Sequence, residues 1–322
     1  MRDNCGRTID YIRISVTDRC NLRCLYCMPE EGVQPMKHED ILTYQEILRI
    51  CEAGSRLGIS KAKVTGGEPL VRKDVEVLVK GLAKLPGMKD VTMTTNGCLL
   101  KEKAEVLKSA GLSSVNVSLD TLDPVRFSVI TRRNCFESVM EGIEGALVAG
   151  LKVKVNCAVM EDLKRDEVLA FARFSMDRGI PVRFIEMMPV GQGKKYKAMS
   201  NDDLAQILSE AYGGLKESRR TEGNGPAVYY TWGDGRGAIG FISAVIHKFC
   251  HACNRVRLTS DGYLKLCLDS SLGVDLKGPL RRGISDEELS RIMEQWIRNK
   301  PESHHFEDDR EKPGLNMNQI GG

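Results

Sequence analysis

The sequence predicts an α/β protein, built as an open partial (β/α)6 barrel with a smaller C-terminal unit. Over residues 11–212, short β-branched apolar runs alternate six times with segments of helical period, and strands joined by such helices pair in parallel. Six units are too few to close an eight-stranded barrel. A chain of 322 residues is long enough for this domain and an appendage.

Each predicted unit is a strand followed by a helix. In chain order the pairs are 11–16 with 43–57, 62–65 with 73–85, 90–95 with 101–110, 114–119 with 136–149, 151–159 with 165–178, and 182–187 with 201–212. Thr43 is expected to cap the first helix, because its hydroxyl can accept a hydrogen bond from the first turn. Glycine enrichment over 217–240 predicts a joint between a barrel domain, 1–216, and a C-terminal unit, 217–322.

Composition and charge are those of an ordinary globular protein, with 42% apolar and 28% charged residues. The net charge of +3 indicates no particular partner, and we expect neither nucleic acid nor membrane binding. The N-terminus does not resemble a signal peptide, and no apolar run is long enough to span a bilayer. Eleven cysteines without a secretory signal argue against a disulfide framework and predict the reducing cytoplasm.

Three closely spaced cysteines follow the first predicted strand. Cys20, Cys24 and Cys27 form a C-x3-C-x2-C run, and thiolates are the soft ligands that select zinc or iron–sulphur clusters. Three ligands are one short of a closed site, so a four-iron cluster here would leave one iron open to a small molecule. Zinc with a distant fourth ligand, a disulfide pair with a spare thiol, and chance remain alternatives on spacing alone.

A second set of three cysteines lies near the C-terminus. Cys250, Cys253 and Cys267 form C-x2-C-x13-C, and a zinc ribbon that uses His247 or His251 is the alternative. Two three-ligand sets in one chain indicate one open cluster for a cofactor and another for a substrate. The other five cysteines are isolated in sequence and are expected to be small apolar fillers: Cys5, Cys51, Cys98, Cys135 and Cys157.

Two arginines follow the second cysteine set. If residues 254–258 form a strand, Arg255 and Arg257 share one face of it. Guanidinium groups bind phosphate oxygens bidentately, so this pair predicts a phosphate-bearing substrate. The alternative is two surface arginines on an exposed strand.

Polar and glycine residues follow the six predicted strands, as in the run Thr65-Gly66-Gly67-Glu68-Pro69. The carboxyl ends of barrel strands carry active sites, so these loops are expected to face one cavity. Any one of them, taken alone, is also compatible with a plain turn.

The first cysteine run, with Tyr26 before its last cysteine, resembles the signature of radical S-adenosylmethionine enzymes. Members of this family bind a [4Fe–4S] cluster and S-adenosylmethionine, and an electron from the reduced cluster releases a 5′-deoxyadenosyl radical. The resemblance implies a partial barrel and a cluster on Cys20, Cys24 and Cys27. It also implies cofactor contacts at four residues: Tyr26, Gly67, Ser118 and Met188.

The second cysteine set, the Asn-Arg-x-Arg run after Cys253 and the terminal Gly-Gly further resemble the radical cyclases that begin molybdenum cofactor biosynthesis. This implies a second [4Fe–4S] cluster, on Cys250, Cys253 and Cys267, that holds the guanine end of GTP. The radical is implied to abstract hydrogen from C3′ of GTP. The sugar radical then attacks C8, and reduction gives 3′,8-cyclo-7,8-dihydro-GTP.

The same resemblance implies site residues and partners. GTP contacts are implied at Arg13, Lys63, Thr94, Lys154, Arg255, Val256 and Arg257. Lys63 stands where other members carry arginine, so its phosphate contact would be that of a point charge. Catalytic roles are implied for Arg255, Arg257, Gly321 and Gly322, the last two on a tail that reaches into the site.

The implied partners are an external electron donor and cyclic pyranopterin monophosphate synthase, which receives the product. The sequence leaves open whether the protein is a monomer or a homodimer. A radical enzyme that modifies peptide or tRNA is a rival interpretation. A non-catalytic iron–sulphur or zinc scaffold is another.

Overall fold

A single twelve-stranded sheet organises the computed structural model, which describes residues 1–197, 199–218, 223–232, 237–306 and 316–321. Its strands are β1 Tyr11–Ser15, β2 Lys61–Thr65, β3 Asp90–Thr95, β4 Ser114–Ser118, β5 Lys152–Val159, β6 Val182–Glu186, β7 Lys216–Glu217, β8 Val228–Thr231, β9 Ile239–Ile242, β10 Arg255–Leu258, β11 Tyr263–Lys265 and β12 Gly273–Asp275. Their order across the sheet is β12-β11-β10-β1-β2-β3-β4-β5-β6-β9-β8-β7.

The structure describes ten α-helices in the described part of the chain, most of which connect the parallel strands. They are α1 Tyr44–Arg56, α2 Val75–Lys84, α3 Leu100–Ser109, α4 Pro124–Thr131, α5 Phe136–Val148, α6 Arg165–Arg178, α7 Asn201–Tyr212, α8 Lys277–Arg281, α9 Asp286–Arg298 and α10 Met317–Ile320. None of the helices in the described part of the chain has both the length and the apolar character needed to cross a membrane.

The six predicted βα units are confirmed. Strands β1 to β6 are adjacent and parallel, as right-handed crossovers require. Thr43 caps α1 as predicted: its hydroxyl accepts from the Glu46 amide at 3.2 Å, while the Glu46 carboxylate accepts from the Thr43 amide at 2.7 Å.

The sheet also extends beyond the six predicted strands at both edges. β9 pairs in parallel with β6, and β10 pairs in parallel with β1. Among the described residues no pairing joins β7 to β12, so the barrel is open. The glycine-rich segment predicted as a joint, 217–240, contains β8 and the start of β9, so it forms part of the sheet. The division at 216/217 stays a prediction.

The strands alternate between an apolar outer face and a polar inner face. Ile12 and Ile14 are fully buried in the main hydrophobic core. Because alternate residues of a strand point to opposite faces, Arg13 lies on the other side. In-register parallel pairing then sets Arg257 beside Arg13 and Arg13 beside Lys63. The interior of the barrel therefore carries a row of cations.

Candidate active site

The first cysteine loop rests on backbone contacts with two neighbouring segments. The Gly67 amide donates to the Thr17 carbonyl at 2.7 Å, and the Glu68 amide donates to that of Arg19 at 2.8 Å. A Cβ on Gly67 would lie 2.7 Å from the Asp18 carbonyl oxygen and closer still to that of Arg19. Glycine is needed here because two backbones meet where no side chain fits.

Helix α4, which the sequence analysis missed, supports the other side of the loop. The amides of Arg23 and Leu25 donate to the carbonyls of Thr131 and Ile130 at 2.9 and 3.0 Å. Asp123 caps this helix and Pro124 opens it. That Asp-Pro pair is a helix-start signal, and it could have located α4 from the sequence.

The thiols of this loop are buried close together. Burial, followed by the charge of Glu68, raises the pKa of Cys20 to about 11. Burial, followed by the charge of Cys20, raises the pKa of Cys27 to about 12. Deprotonation of these thiols therefore requires a bound cation, which a metal cluster supplies.

One cavity of about 240 Å³ joins the first cysteine loop to the second cysteine set. Tyr26 reaches it from the first loop, and its hydroxyl donates to Asp120 at 2.6 Å. Asp120 also accepts from the Ala158 amide at 2.8 Å, and burial raises its pKa to about 6. The predicted site residues that line this cavity are Arg13, Tyr26, Thr94, Ser118, Met188, Cys250, Cys253, Arg255, Arg257 and Cys267.

One member of the second cysteine set, Cys253, lies in an environment that favours a thiolate, whereas burial raises the pKa of Cys250. Burial disfavours the charged form of Cys253. The charges of Lys300 and Arg255, with hydrogen bonds from Arg255, outweigh burial and lower the pKa of Cys253 to about 7. Thiolates are the form that binds metal, so this donor set fits a cluster.

Arg7 connects the N-terminal segment to the second cysteine set. Sequence reasoning did not identify this residue. Its guanidinium donates to the carbonyls of Cys250 at 3.0 Å, Glu302 at 2.9 Å, Lys300 at 3.1 Å and Pro301 at 2.7 Å. A buried ion pair with Asp3, at 2.6 Å, orients it. The buried Arg7 side chain therefore fixes the position of the second cysteine loop relative to the N-terminal segment.

A smaller cavity of about 90 Å³ forms the floor of the barrel. Among the residues that the structure describes, five cations and one carboxylate, Asp90, line it; the cations are Arg13, Lys63, Lys154, Arg183 and Arg255. Burial and the charges of Arg183, Arg13 and Lys154 hold the pKa of Lys63 well below its usual range. Such crowding of like charges is relieved by a bound polyanion.

Arg183 is the floor residue that sequence reasoning missed. It is 6% exposed, and its Nε and Nη2 atoms have no hydrogen-bond partner among the described residues. Buried donors without partners are rare, and here they point to a ligand. Its position on β6, beside Asn156 of β5, is visible only once the strands are paired.

The C-terminal tail enters the same site. Arg257 Nη1 donates to the Gly321 carbonyl at 3.0 Å, and the Asn318 side chain donates to the Asp18 carbonyl at 2.8 Å. Gly321 has φ +83°, and a Cβ there would lie 2.9 Å from Cβ of Ser15. The tail therefore reaches the ends of β1 and β2. Gly322 lies outside the described residues.

The remaining predicted residues lie apart from the main cavity. Lys63 and Lys154 line the floor. Gly67 supports the cysteine loop and does not line either cavity. The side chain of Val256 is buried in the hydrophobic core, so only its backbone is available to a ligand.

No three Cys, His, Asp or Glu side chains in the described ranges converge as ligands of one metal ion. Donor chemistry and burial are the structural features that favour clusters at the two cysteine sets.

Comparisons with known proteins cover the whole chain. A Radical SAM superfamily model matches residues 14–175, and a Molybdenum Cofactor Synthesis C model matches residues 180–306. The GTP 3′,8-cyclase of Clostridium perfringens strain 13 is 42% identical over 100% of both chains. That of Thermodesulfovibrio yellowstonii is 46% identical, again over 100% of both.

Among solved structures, SuiB of Streptococcus suis bound to its precursor peptide SuiA has a TM-score of 0.61 at 15% identity, covering 85% of this chain and 65% of that chain. This likeness concerns the fold alone. The fold and the first cysteine loop define a radical S-adenosylmethionine enzyme. Within that class, the chain belongs to the GTP 3′,8-cyclase family.

Gly67→Ala should displace the first cysteine loop. The added Cβ meets two carbonyl oxygens, and such overpacking costs on the order of 1–3 kcal/mol. We expect lower iron content after anaerobic reconstitution and less 5′-deoxyadenosine. Gly214→Ala is the matched control, because its Cβ would meet nothing within 4 Å. Full iron content in Gly67→Ala would contradict the close contact.

Proposed function

We propose that this chain converts GTP to 3′,8-cyclo-7,8-dihydro-GTP, the first step of molybdenum cofactor biosynthesis. The observation that supports this best is a single cavity that extends from Tyr26 of the first cysteine loop to the second cysteine set and shares lining residues with a cationic floor, among them Arg13, Thr94 and Arg255. A site of this kind can hold a cofactor at one end and a nucleotide triphosphate at the other.

The residues present fit the two [4Fe–4S] clusters and S-adenosylmethionine. Cys20, Cys24 and Cys27 would hold the first cluster, and Cys250, Cys253 and Cys267 the second. When bound, the first cluster and the cofactor supply the 5′-deoxyadenosyl radical. Tyr26, Ser118 and Met188 line the wall next to the first loop, where we place the cofactor.

The floor fits the triphosphate of GTP. Arg13, Lys63, Lys154 and Arg183 converge there, and each charge-assisted hydrogen bond contributes about 1.5–3 kcal/mol. Lys63 meets phosphate as a point charge, so it needs no fixed orientation. Binding at the floor would place the ribose between the two ends of the cavity.

The protein itself positions the reactants and excludes water. A primary carbon radical is too reactive to escape into solvent, so C3′ must lie beside it in an enclosed space. Arg255 and Arg257 stand beside the second cysteine set, where we place the guanine end. The tail closes the cavity next to Arg257.

The partners and compartment are also proposals. An external one-electron donor must reduce the first cluster, and cyclic pyranopterin monophosphate synthase would consume the product. Cysteine use favours the reducing cytoplasm. We propose no nucleic acid or membrane partner. Analytical ultracentrifugation would distinguish a monomer from a homodimer.

The direct test is an anaerobic assay of the reconstituted protein with dithionite, S-adenosylmethionine and either GTP or no nucleotide. We expect GTP-dependent formation of the cyclised nucleotide together with 5′-deoxyadenosine. Cofactor cleavage unaffected by GTP, with no cyclised product, would favour the peptide- or tRNA-modifying alternative. No cleavage in a brown, cluster-loaded protein would favour the scaffold.

Cys24→Ala and Cys267→Ala should separate the two cysteine sets. Cys24→Ala should abolish cofactor cleavage, because the first cluster loses a ligand. Cys267→Ala should abolish cyclisation while leaving the first cluster and some uncoupled cleavage. Cys5→Ala, an exposed cysteine elsewhere, is the control. Equal loss of the first cluster's paramagnetic signal in both variants would refute separate roles.

Arg183→Ala should weaken GTP binding by on the order of 1–3 kcal/mol, because buried donors to phosphate are lost. Calorimetry with GTP and with guanosine separates this effect from general damage, since guanosine lacks the phosphates. Arg173→Ala, an exposed arginine on α6, is the control. An equal loss for both ligands would place Arg183 away from the phosphates.

Gly321→Ala should disturb the tail and spare the clusters. The substitution strains a positive φ and meets Ser15, whereas Gly213→Ala strains a similar φ of +77° in open space. We expect less cyclised nucleotide per cofactor cleaved in Gly321→Ala, with unchanged iron content. The same ratio and rate in parent and both variants would mean that the tail plays no part after radical formation.

A further inference from the structure

Lys300 is a buried cation of the main cavity to which the proposed reaction assigns no role. It lies shortly after α9 and is only 4% exposed. It lines the main cavity together with Cys250, Cys253 and Cys267. Lysine side chains are almost never fully buried unless they are paired, so the ammonium group of Lys300 requires an anionic or polar partner here.

Hydrogen bonds at both ends hold Lys300 between the two parts of the second cysteine set. Its Nζ atom donates to the carbonyl of Leu266, the residue before Cys267. Its own carbonyl accepts from Arg7 Nη2 at 3.1 Å, and Nη1 of the same guanidinium donates to the Cys250 carbonyl at 3.0 Å. Lys300 therefore connects the loop that carries Cys250 to the segment that carries Cys267.

The anions nearest to the Lys300 ammonium group are the cysteine thiolates. Among the described residues, no carboxylate forms an ion pair with Lys300. Burial lowers the pKa of Lys300, and the charges of Cys253 and Cys267 oppose this effect. A buried ammonium group with one carbonyl acceptor is stabilised further by such thiolates, because their attraction offsets part of its desolvation.

Arg255 is a second cation beside this cysteine set, but its surroundings differ from those of Lys300. Arg255 lines both the main cavity and the floor, and its guanidinium lies over the Phe249 ring, 5.0 Å from the centroid. The proposed function assigns it to GTP. Lys300 lines the main cavity and is not among the residues of the floor. The charge of Lys300 therefore remains beside the cysteines when Arg255 binds the nucleotide.

We propose that Lys300 is the counter-ion of the second [4Fe–4S] cluster and raises its reduction potential. Net charge, hydrogen bonding and exposure set the potential of an iron–sulphur cluster. Reduction adds negative charge to a centre held by three thiolates, so a buried cation stabilises the reduced state more than the oxidised state, with little screening by salt. Lys300 acts through the cluster and does not itself react with GTP. This inference rests on the cluster assigned to Cys250, Cys253 and Cys267 under the proposed function.

The test is an anaerobic redox titration of the full-length, cluster-loaded protein, followed by paramagnetic resonance. The signal that is absent from Cys267→Ala protein is assigned to the second cluster. Lys300→Gln keeps a hydrogen-bond donor and removes the charge, so we expect the reduction equilibrium to fall about tenfold, equivalent to about 59 mV for a one-electron couple. Lys300→Arg keeps the charge and should stay near the parent potential. Lys152→Gln, which removes an exposed lysine on β5, is the control.

Iron content, measured on each variant, separates charge from packing. Loss of the second cluster in Lys300→Gln but not in Lys300→Arg would support the counter-ion, because only the charge distinguishes the outcome. An unchanged potential in Lys300→Gln overturns the proposal, and so does an equal shift or an equal loss of iron in both variants. Zinc at the second cysteine set of the parent overturns it together with the cluster assignment. The titration requires no turnover, so failure to cyclise GTP would count against the proposed function alone.

Discussion

The parallel pairing of β10 with β1 is the constraint on which the rest of the site depends. It sets Arg257 beside Arg13. Because Cys250 and Cys253 precede β10 and Cys267 follows β11, the same pairing brings the second cysteine set to the edge of the barrel. Arg7, just before β1, then binds the Cys250 carbonyl. A radical source and a substrate site that are far apart in sequence thereby share one cavity.

The cations of the barrel floor repel one another, and this repulsion lowers the stability of the folded protein. Burial and the charges of Arg183, Arg13 and Lys154 hold the pKa of Lys63 well below its usual range. An apolar core on the outer face of the same strands supplies the compensating stability. A polyanion at the floor relieves this repulsion, so binding energy from the remote phosphates is available to position the reacting ribose carbon.

Backbone contacts, more than side-chain packing, position the loops of the site. Gly67 against the first cysteine loop, Gly142 against Gly97, and Gly321 against Ser15 are places where a Cβ would collide. Such contacts hold loops accurately but allow little adjustment. The last turn of the chain also contacts the segment just before the first cysteine run, where the Asn318 side chain donates to the Asp18 carbonyl.

The local signals in the sequence determined the six βα units, the cap at Thr43 and both cysteine sets, because periodicity, capping and ligand spacing are properties of neighbouring residues. The predicted strand 90–95 and helices 165–178 and 201–212 agree with the structure at both ends. Only the tertiary structure decided which distant residues meet. Strand pairing placed Arg183 on the floor of the barrel and buried the side chain of Val256 in the core. These contacts depend on register and long-range closure, for which a linear pattern carries no signal.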